Sequence, residues 1–307
     1  MGRSTETLIR RTPLLIAAAL LATVAAQDAV FRTNVSLVRL LATVKDREGA
    51  PALELNKSNF KVFDNGVEQQ ITVFERHTSQ PLSVTILIDN SGSTGIDLKY
   101  ETESVTRFGR ALFGEGNPDD RAKLYSFNWE VVERTGYTRS AQEIDRRLRG
   151  LKGEGGTSLY DALWFAARDV EDRDGRHAII VVTDGGDTTS SRTFHQALEA
   201  VQLADAVIYP ILVMPITNDA GRNIGGENAL ATFAEGTGGR VFAPSLGPQL
   251  DQVFAKILRE LRTQYLVGFY PKNVPRTKDR FHKVRLTVDQ PGLRVQTRSG
   301  YYGEFEH

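Results

Sequence analysis

The sequence predicts an α/β protein with a doubly wound, mostly parallel sheet and a flanking β-sandwich formed by its N- and C-terminal segments. Three observations point there. Between residues 80 and 263, short apolar runs alternate with amphipathic stretches, the pattern of strands joined by helical crossovers. The flanks, residues 31–78 and 264–303, show strand patterns only. Each flank is too small to build an independent sheet with a core, so the two are expected to pair, with the α/β unit inserted between them.

The elements follow in order. Residues 35–44 are extended and apolar, and residues 46–49 form a turn. Residues 60–63 alternate, Asp64-Asn65-Gly66 is a hairpin signal, and residues 70–74 complete the pair. Residues 83–88 form a continuous apolar run, as in a strand buried on both faces. A helix is expected over 97–113, then neighbouring strands over 122–127 and 129–133. Ser140 with Glu143 reads as a capping box that opens a helix to about residue 151. A helix over 159–171 leads to the second central strand, 177–183, and to a helix over 192–204. In the strand at 206–213, Pro210 points to an edge or a bulge. After a loop at 218–227, which is either a specificity element or a passive connection, come a helix over 228–235 and a short strand at 240–242. Leu250, Val253, Phe254, Ile257, Leu258 and Leu261 share one face of the last helix. Strands at 265–270, 283–288 and 293–297 close the chain.

Composition narrows the chemistry. The chain has 307 residues, 40% of them hydrophobic, with 38 basic and 38 acidic side chains and no cysteine. That excludes a disordered chain, a disulfide scaffold and thiolate metal sites. Zero net charge argues against binding nucleic acid by phosphate neutralisation. Arg3, Arg10 and Arg11 precede an apolar run of about a dozen residues, too short to span a bilayer, and Val24-Ala25-Ala26 suits cleavage after Ala26. Removing that signal, with its three Arg and one Glu, leaves 35 basic and 37 acidic residues, a net of −2. No later stretch is long and apolar enough to span a membrane. The expected layout is a signal peptide at 1–26, an N-terminal β segment at 27–79, the α/β domain at 80–263 and a C-terminal β segment at 264–307. The expected location is periplasmic or extracellular.

The chemistry sits where strands meet helices. Asp89-Asn90-Ser91-Gly92-Ser93 follows the first buried strand and places three oxygen side chains at i, i+2 and i+4. Residues 153–161 carry Gly-Glu-Gly-Gly-Thr157-Ser-Leu-Tyr-Asp161 into a helix, and Thr183-Asp184-Gly-Gly-Asp187 follows the second central strand. In a doubly wound sheet such loops meet beyond the carboxyl ends of the strands. All the converging atoms are oxygen, which selects a hard divalent cation over zinc or copper. Asp89, Ser91, Ser93, Thr157 and Asp184 form the candidate metal shell. Mg2+ is the expected ion, with Mn2+ or Ca2+ as alternatives. Two carboxylates and three hydroxyls leave the ion partly neutralised, so it favours one more anionic oxygen, such as an Asp or Glu of a partner protein.

These three motifs, in this order, resemble the von Willebrand factor type A (vWA) domain over residues 80–263. The layout of the whole chain is similar to exported bacterial VWFA-related proteins. The resemblance implies a Rossmann-like fold and a metal-ion-dependent adhesion site at Asp89, Ser91, Ser93, Thr157 and Asp184. It also implies protein binding rather than catalysis.

Rival readings can be weighed in the sequence. Ser91 lacks the Gly-x-Ser-x-Gly elbow of a hydrolase, and neither His177 nor His195 has a positional case for pairing with it. A metal-dependent hydrolase needs a general base, which these loops do not offer. A structural assembly module with a stabilising ion is the other alternative. Asp187 and Asn90 read as supporting residues, and residues 146–149, rich in Arg, as a solvated helix face. Phe127 and Trp129 lie near the metal edge, as a binding rim or as core.

Overall fold

The computed structural model describes residues 36–76, 79–94, 98–114, 116–213, 223–244, 248–275 and 277–303. The expected signal peptide, 1–26, lies outside them. The N-terminal flank forms β1 (Val38–Lys45), β2 (Phe60–Asp64), β3 (Val67–Gln69) and β4 (Ile71–Glu75). Asn65 and Gly66, with φ of 46° and 84°, make the tight turn that Asn-Gly favours. This turn pairs Asp64 directly with Val67, so β2 takes β3 as its partner. The expected pairing of β2 with residues 70–74 does not occur. The chain leaves that sheet at Gln70, and β4 joins the other sheet of the sandwich.

The α/β unit comprises β5 (Leu82–Asp89), α1 (Leu98–Gly114), β6 (Arg121–Phe127), β7 (Val131–Thr138), α2 (Ala141–Leu148), α3 (Leu159–Glu171), β8 (Arg176–Thr183), α4 (Phe194–Leu203), β9 (Ala206–Leu212), α5 (Ile224–Thr237) and α6 (Pro248–Arg262). The sheet order is β7-β6-β5-β8-β9, parallel except for the antiparallel edge strand β7. Successive residues of β5 serve opposite cores. Val84, Ile86 and Ile88 pack with α1, α2 and α6, including Phe108, Leu112, Ile144, Phe254 and Ile257. Leu87 packs on the other face with α3, α4 and α5, including Leu163, Ala166, Val201 and Phe233. Both faces are thus covered, and every residue of β5 and β8 is buried. Pro210 lies in β9, an edge strand, as its missing N–H requires.

Three local expectations are revised. The Ser140 hydroxyl accepts the Glu143 N–H at 3.1 Å, but the Glu143 carboxylate takes the Thr138 hydroxyl at 2.8 Å, so the capping box is half formed. Residues 240–242 make only a single bridge, between Ile211 and Phe242. Helix α5 starts at Ile224, four residues before the expected start, capped by the Asn223 side chain, which accepts the Gly226 N–H at 2.9 Å. Two glycines open this helix because its first turn presses on the loop after β8. A Cβ on Gly226 would lie 1.4 Å from the Gly185 carbonyl oxygen.

The C-terminal flank supplies β10 (Tyr265–Phe269), β11 (Phe281–Val288), β12 (Arg294–Gln296) and β13 (Gly300–Tyr302). The two flanks interleave in antiparallel sheets of order β12-β1-β10-β4 and β13-β11-β2-β3. Leu40, Val62, Val267, Phe269 and Leu286 share the core between them. A polar clasp closes one end. Asp64, wholly buried, accepts the Tyr301 hydroxyl at 2.6 Å, with His282 Nδ1 at 3.0 Å. The sandwich meets the α/β unit at the amino edge of the central sheet. Lys45 pairs with Glu260 of α6 at 2.6 Å, and Arg298 with Asp205, just before β9, at 2.8 Å. Among the described residues no helix is long and apolar enough to cross a membrane.

Two predictions follow from this packing. Asp64→Ala strands the buried Tyr301 hydroxyl and lowers stability by about 2–4 kcal/mol in urea denaturation, and Asp64→Asn costs less. Gly226→Ala forces α5 off the Gly185 loop and lowers stability by about 1–3 kcal/mol, against almost no change for Gly136→Ala, where nothing lies within 4 Å of the new methyl group.

Candidate functional site

Strand β5 ends on Asp89, a carboxylate with 0% exposure. Its Oδ1 accepts the Ser91 N–H at 2.8 Å, and its Oδ2 accepts the Thr183 hydroxyl at 2.6 Å. Burial outweighs these hydrogen bonds, and the nearby Asp184 adds to it, so the Asp89 carboxyl is pushed up to about 6. The charged neighbour is therefore a second anion. No lysine or arginine forms an ion pair with Asp89 among the described residues.

The loop after Asp89 is folded tightly on itself. The Thr94 hydroxyl donates to the carbonyls of Asp89 and Ser91, at 3.0 and 3.1 Å. This turn brings the Ser91 and Ser93 hydroxyls to 3.2 Å from each other. Ser91 is buried and Ser93 is exposed, so the pair runs from the strand end to the surface.

Hydrogen bonds join the second loop to the first. Gly92 N–H donates to the Gly155 carbonyl at 3.1 Å, and Glu154 N–H to the Asn90 carbonyl at 3.0 Å. The Asn90 side chain donates to the Lys152 carbonyl at 3.0 Å, so Asn90 supports the turn, as expected. Thr157 is held by its main chain. Its N–H donates to the Thr188 hydroxyl at 2.9 Å, and its carbonyl accepts the Thr188 and Thr189 N–H groups at 2.8 and 3.1 Å. These bonds leave the Thr157 hydroxyl outside the ladder and tie the second loop to the third.

Asp184 opens the third loop, half-buried, directly after Thr183. Asp187 is spent elsewhere: its carboxylate accepts the Tyr160 N–H at 3.2 Å and the Ser190 hydroxyl at 2.6 Å, fixing the start of α3. The structure thus gathers the three loops that carry Asp89, Ser91, Ser93, Thr157 and Asp184 at one sheet edge. Thr183 and Thr94 complete the arrangement and were not singled out from the sequence. Thr183 stands immediately before Asp184 on a strand paired with β5, and that position was the available signal.

The donor chemistry fits a hard cation. Two carboxylates and three hydroxyls are present, without nitrogen or sulfur. Ser91 and Thr183 supply the hydrogen bonds to the Asp89 carboxylate. His177 stands at the opposite end of its strand, its two ring nitrogens 2.7 and 2.8 Å from the carbonyls of Ala204 and Arg173. His195, on α4, packs against the Phe194 ring. Neither accompanies Ser91. Phe127 is core, whereas Trp129 is 63% exposed.

Comparison with known proteins agrees with this geometry. Residues 84–186 match the von Willebrand factor type A domain family. No curated protein matches the chain in sequence. Among solved structures, a von Willebrand factor type A protein from Catenulispora acidiphila aligns at 12% identity with a TM-score of 0.52, over 88% of this chain and 75% of its own. The vWF domain of the type V pili tip protein Mfa5 from Porphyromonas gingivalis aligns at 16% identity with a TM-score of 0.50, over 59% of this chain and 95% of its own. At such identities the likeness is one of fold. The first alignment extends beyond the central sheet and its helices into the flanking strands. The segment that matches the von Willebrand factor type A domain family runs from β5 through the Asp184 loop, and so holds all three candidate metal loops.

Proposed function

We propose that this protein is an exported, non-enzymatic binding module. Asp89, Ser91, Ser93, Thr157 and Asp184 would hold Mg2+, with Mn2+ or Ca2+ as substitutes, and the ion would capture an Asp or Glu side chain of a partner protein. The observation that carries this reading is the buried Asp89 carboxylate. It ends the central strand beside a second carboxylate, among hydroxyls, with no cationic side chain of the described residues paired to it. A hard cation supplies the missing positive charge, and five protein oxygens leave an octahedral ion one coordination place for a partner's carboxylate. Residues 80–263 are read as the binding domain, and residues 27–79 and 264–307 as the sandwich that carries it. The signal at 1–26 would deliver the chain to the periplasm or the exterior. The Porphyromonas relative belongs to a pilus tip protein, a setting in keeping with adhesion or assembly.

The test is capture from an envelope extract in Mg2+ against chelator, with Asp89→Ala as control. Capture is expected with Mg2+ only, and equal capture by Asp89→Ala sinks the metal role. A stabilising ion without a partner role raises the melting temperature and captures nothing. A metal-dependent hydrolase turns over phosphoesters in Mg2+, and no turnover is expected.

Two further outcomes are expected. Mg2+ at about 100 times its Kd stabilises the protein by about 2.7 kcal/mol, read as an upward shift in melting temperature that Asp89→Ala loses. In chelator, Asp89→Asn melts no lower than the parent protein, because the buried charge is gone, the amide oxygen still accepts the Ser91 N–H, and the amide NH2 donates to the Thr183 hydroxyl oxygen in reversed sense.

A further inference from the structure

The three most exposed large apolar side chains among the described residues are Ile224, Trp129 and Tyr100, at 67%, 63% and 51%. All three stand on segments that leave the carboxyl edge of the central sheet. Trp129 lies in the connection after β6, Ile224 opens α5, and Tyr100 is in the first turn of α1. They share the edge that carries the candidate metal loops, where exposed apolar area is available to whatever the loops bind.

Trp129 is tied to the candidate metal loops. Its carbonyl accepts the Ser158 hydroxyl at 3.2 Å, next to Thr157. Its indole lies on Gly155, where a Cβ would fall 2.2 Å from Trp129 Cδ1. Gly155 has φ of +78°, so the loop presents bare backbone on which the ring rests. Ile224 flanks the third loop, since its helix begins against Gly185. Beside the second loop, a cleft between α1 and α2 is lined by charges of both signs, Lys99, Arg149 and Lys152 with Glu103 and Asp145.

We propose that Trp129 is the specificity-determining residue of this edge. The partner segment places an acidic side chain on the ion and an adjacent aromatic or aliphatic side chain against the Trp129 indole. Ile224 and Tyr100 form the outer contacts. This rests on the metal-capture reading and adds to it the class of partner: an acidic-apolar peptide segment. The ion selects the acidic part. The tryptophan supplies apolar area at small entropic cost, as in protein interfaces where tryptophan dominates the binding energy.

The experiment uses the full chain immobilised in Mg2+ and a random phage-displayed peptide library eluted with chelator. Enriched peptides are expected to carry Asp or Glu within two residues of Phe, Tyr, Trp, Leu or Ile. A synthetic peptide of the enriched sequence binds Trp129→Ala about tenfold or more weakly, and Trp129→Phe within about threefold. In a Trp164→Phe background, the remaining Trp129 emission shifts to the blue as that peptide binds, which reads indole burial without relying on the alanine variant. Acidic peptides with no apolar neighbour, unchanged affinity for a folded Trp129→Ala, or unshifted emission overturn the role of Trp129 and leave metal capture standing. No chelator-eluted peptides at all overturn metal capture itself.

Discussion

A carboxylate withdrawn from water at the end of the central strand organises the upper half of this molecule. Asp89 is buried between two hydrogen-bond donors that do not offset its desolvation, and Asp184 adds repulsion rather than relief. A group of this kind persists only where its surroundings hold it in place. Here they do. Thr94 locks the turn behind it, Asn90 bridges to the glycine-rich loop, and Thr157 fastens that loop to the segment after β8. Three stretches far apart in sequence are thereby set around one anionic point. The two-sided core provides the rigidity, since helices on both faces fix the strand whose end carries the charge.

Where local chemistry decided structure, the sequence was readable. The apolar runs of β5 and β8 could only be buried strands, and α3 runs over the expected residues because its pattern is strong from end to end. The oxygen side chains were legible too, because Asp89, Ser91 and Ser93 stand at fixed spacing at the end of such a strand. Legibility failed where a distant contact decided the matter. Gly225 and Gly226 disfavour a helix by propensity, yet α5 starts ahead of them on the Asn223 cap, and the close approach of Gly185 is what demands glycine at 226. Similarly, residues 67–69 carry little strand signal, and the two-residue turn before them imposes their pairing. Phe127 and Trp129 are two residues apart and both aromatic, yet one is core and the other solvent-facing. The last residue of β6 still points into the sheet's packing, while the residue beyond Asn128 has left it.

The sandwich depends on closure of the chain as a whole. Strands from the two flanks alternate in one sheet, so neither flank can form that sheet without the other, and the α/β unit must return the chain to where it began. Arg176 enforces that return. It opens β8, with its N–H donating to the Pro81 carbonyl at 2.9 Å, and its guanidinium donates to the carbonyl of Leu261 near the end of α6. Entry and exit of the inserted unit are thus sewn together by one residue.

That stitching sits at the amino edge, with the contacts of Lys45 and Arg298, and so fixes a polarity. The whole length of the parallel strands, about 25 Å for eight residues, separates the sandwich from the loops around Asp89. Sandwich and loops occupy opposite poles. Whatever bears the sandwich is held at arm's length from the Asp89 edge, and a body approaching that edge does so without meeting the sandwich strands.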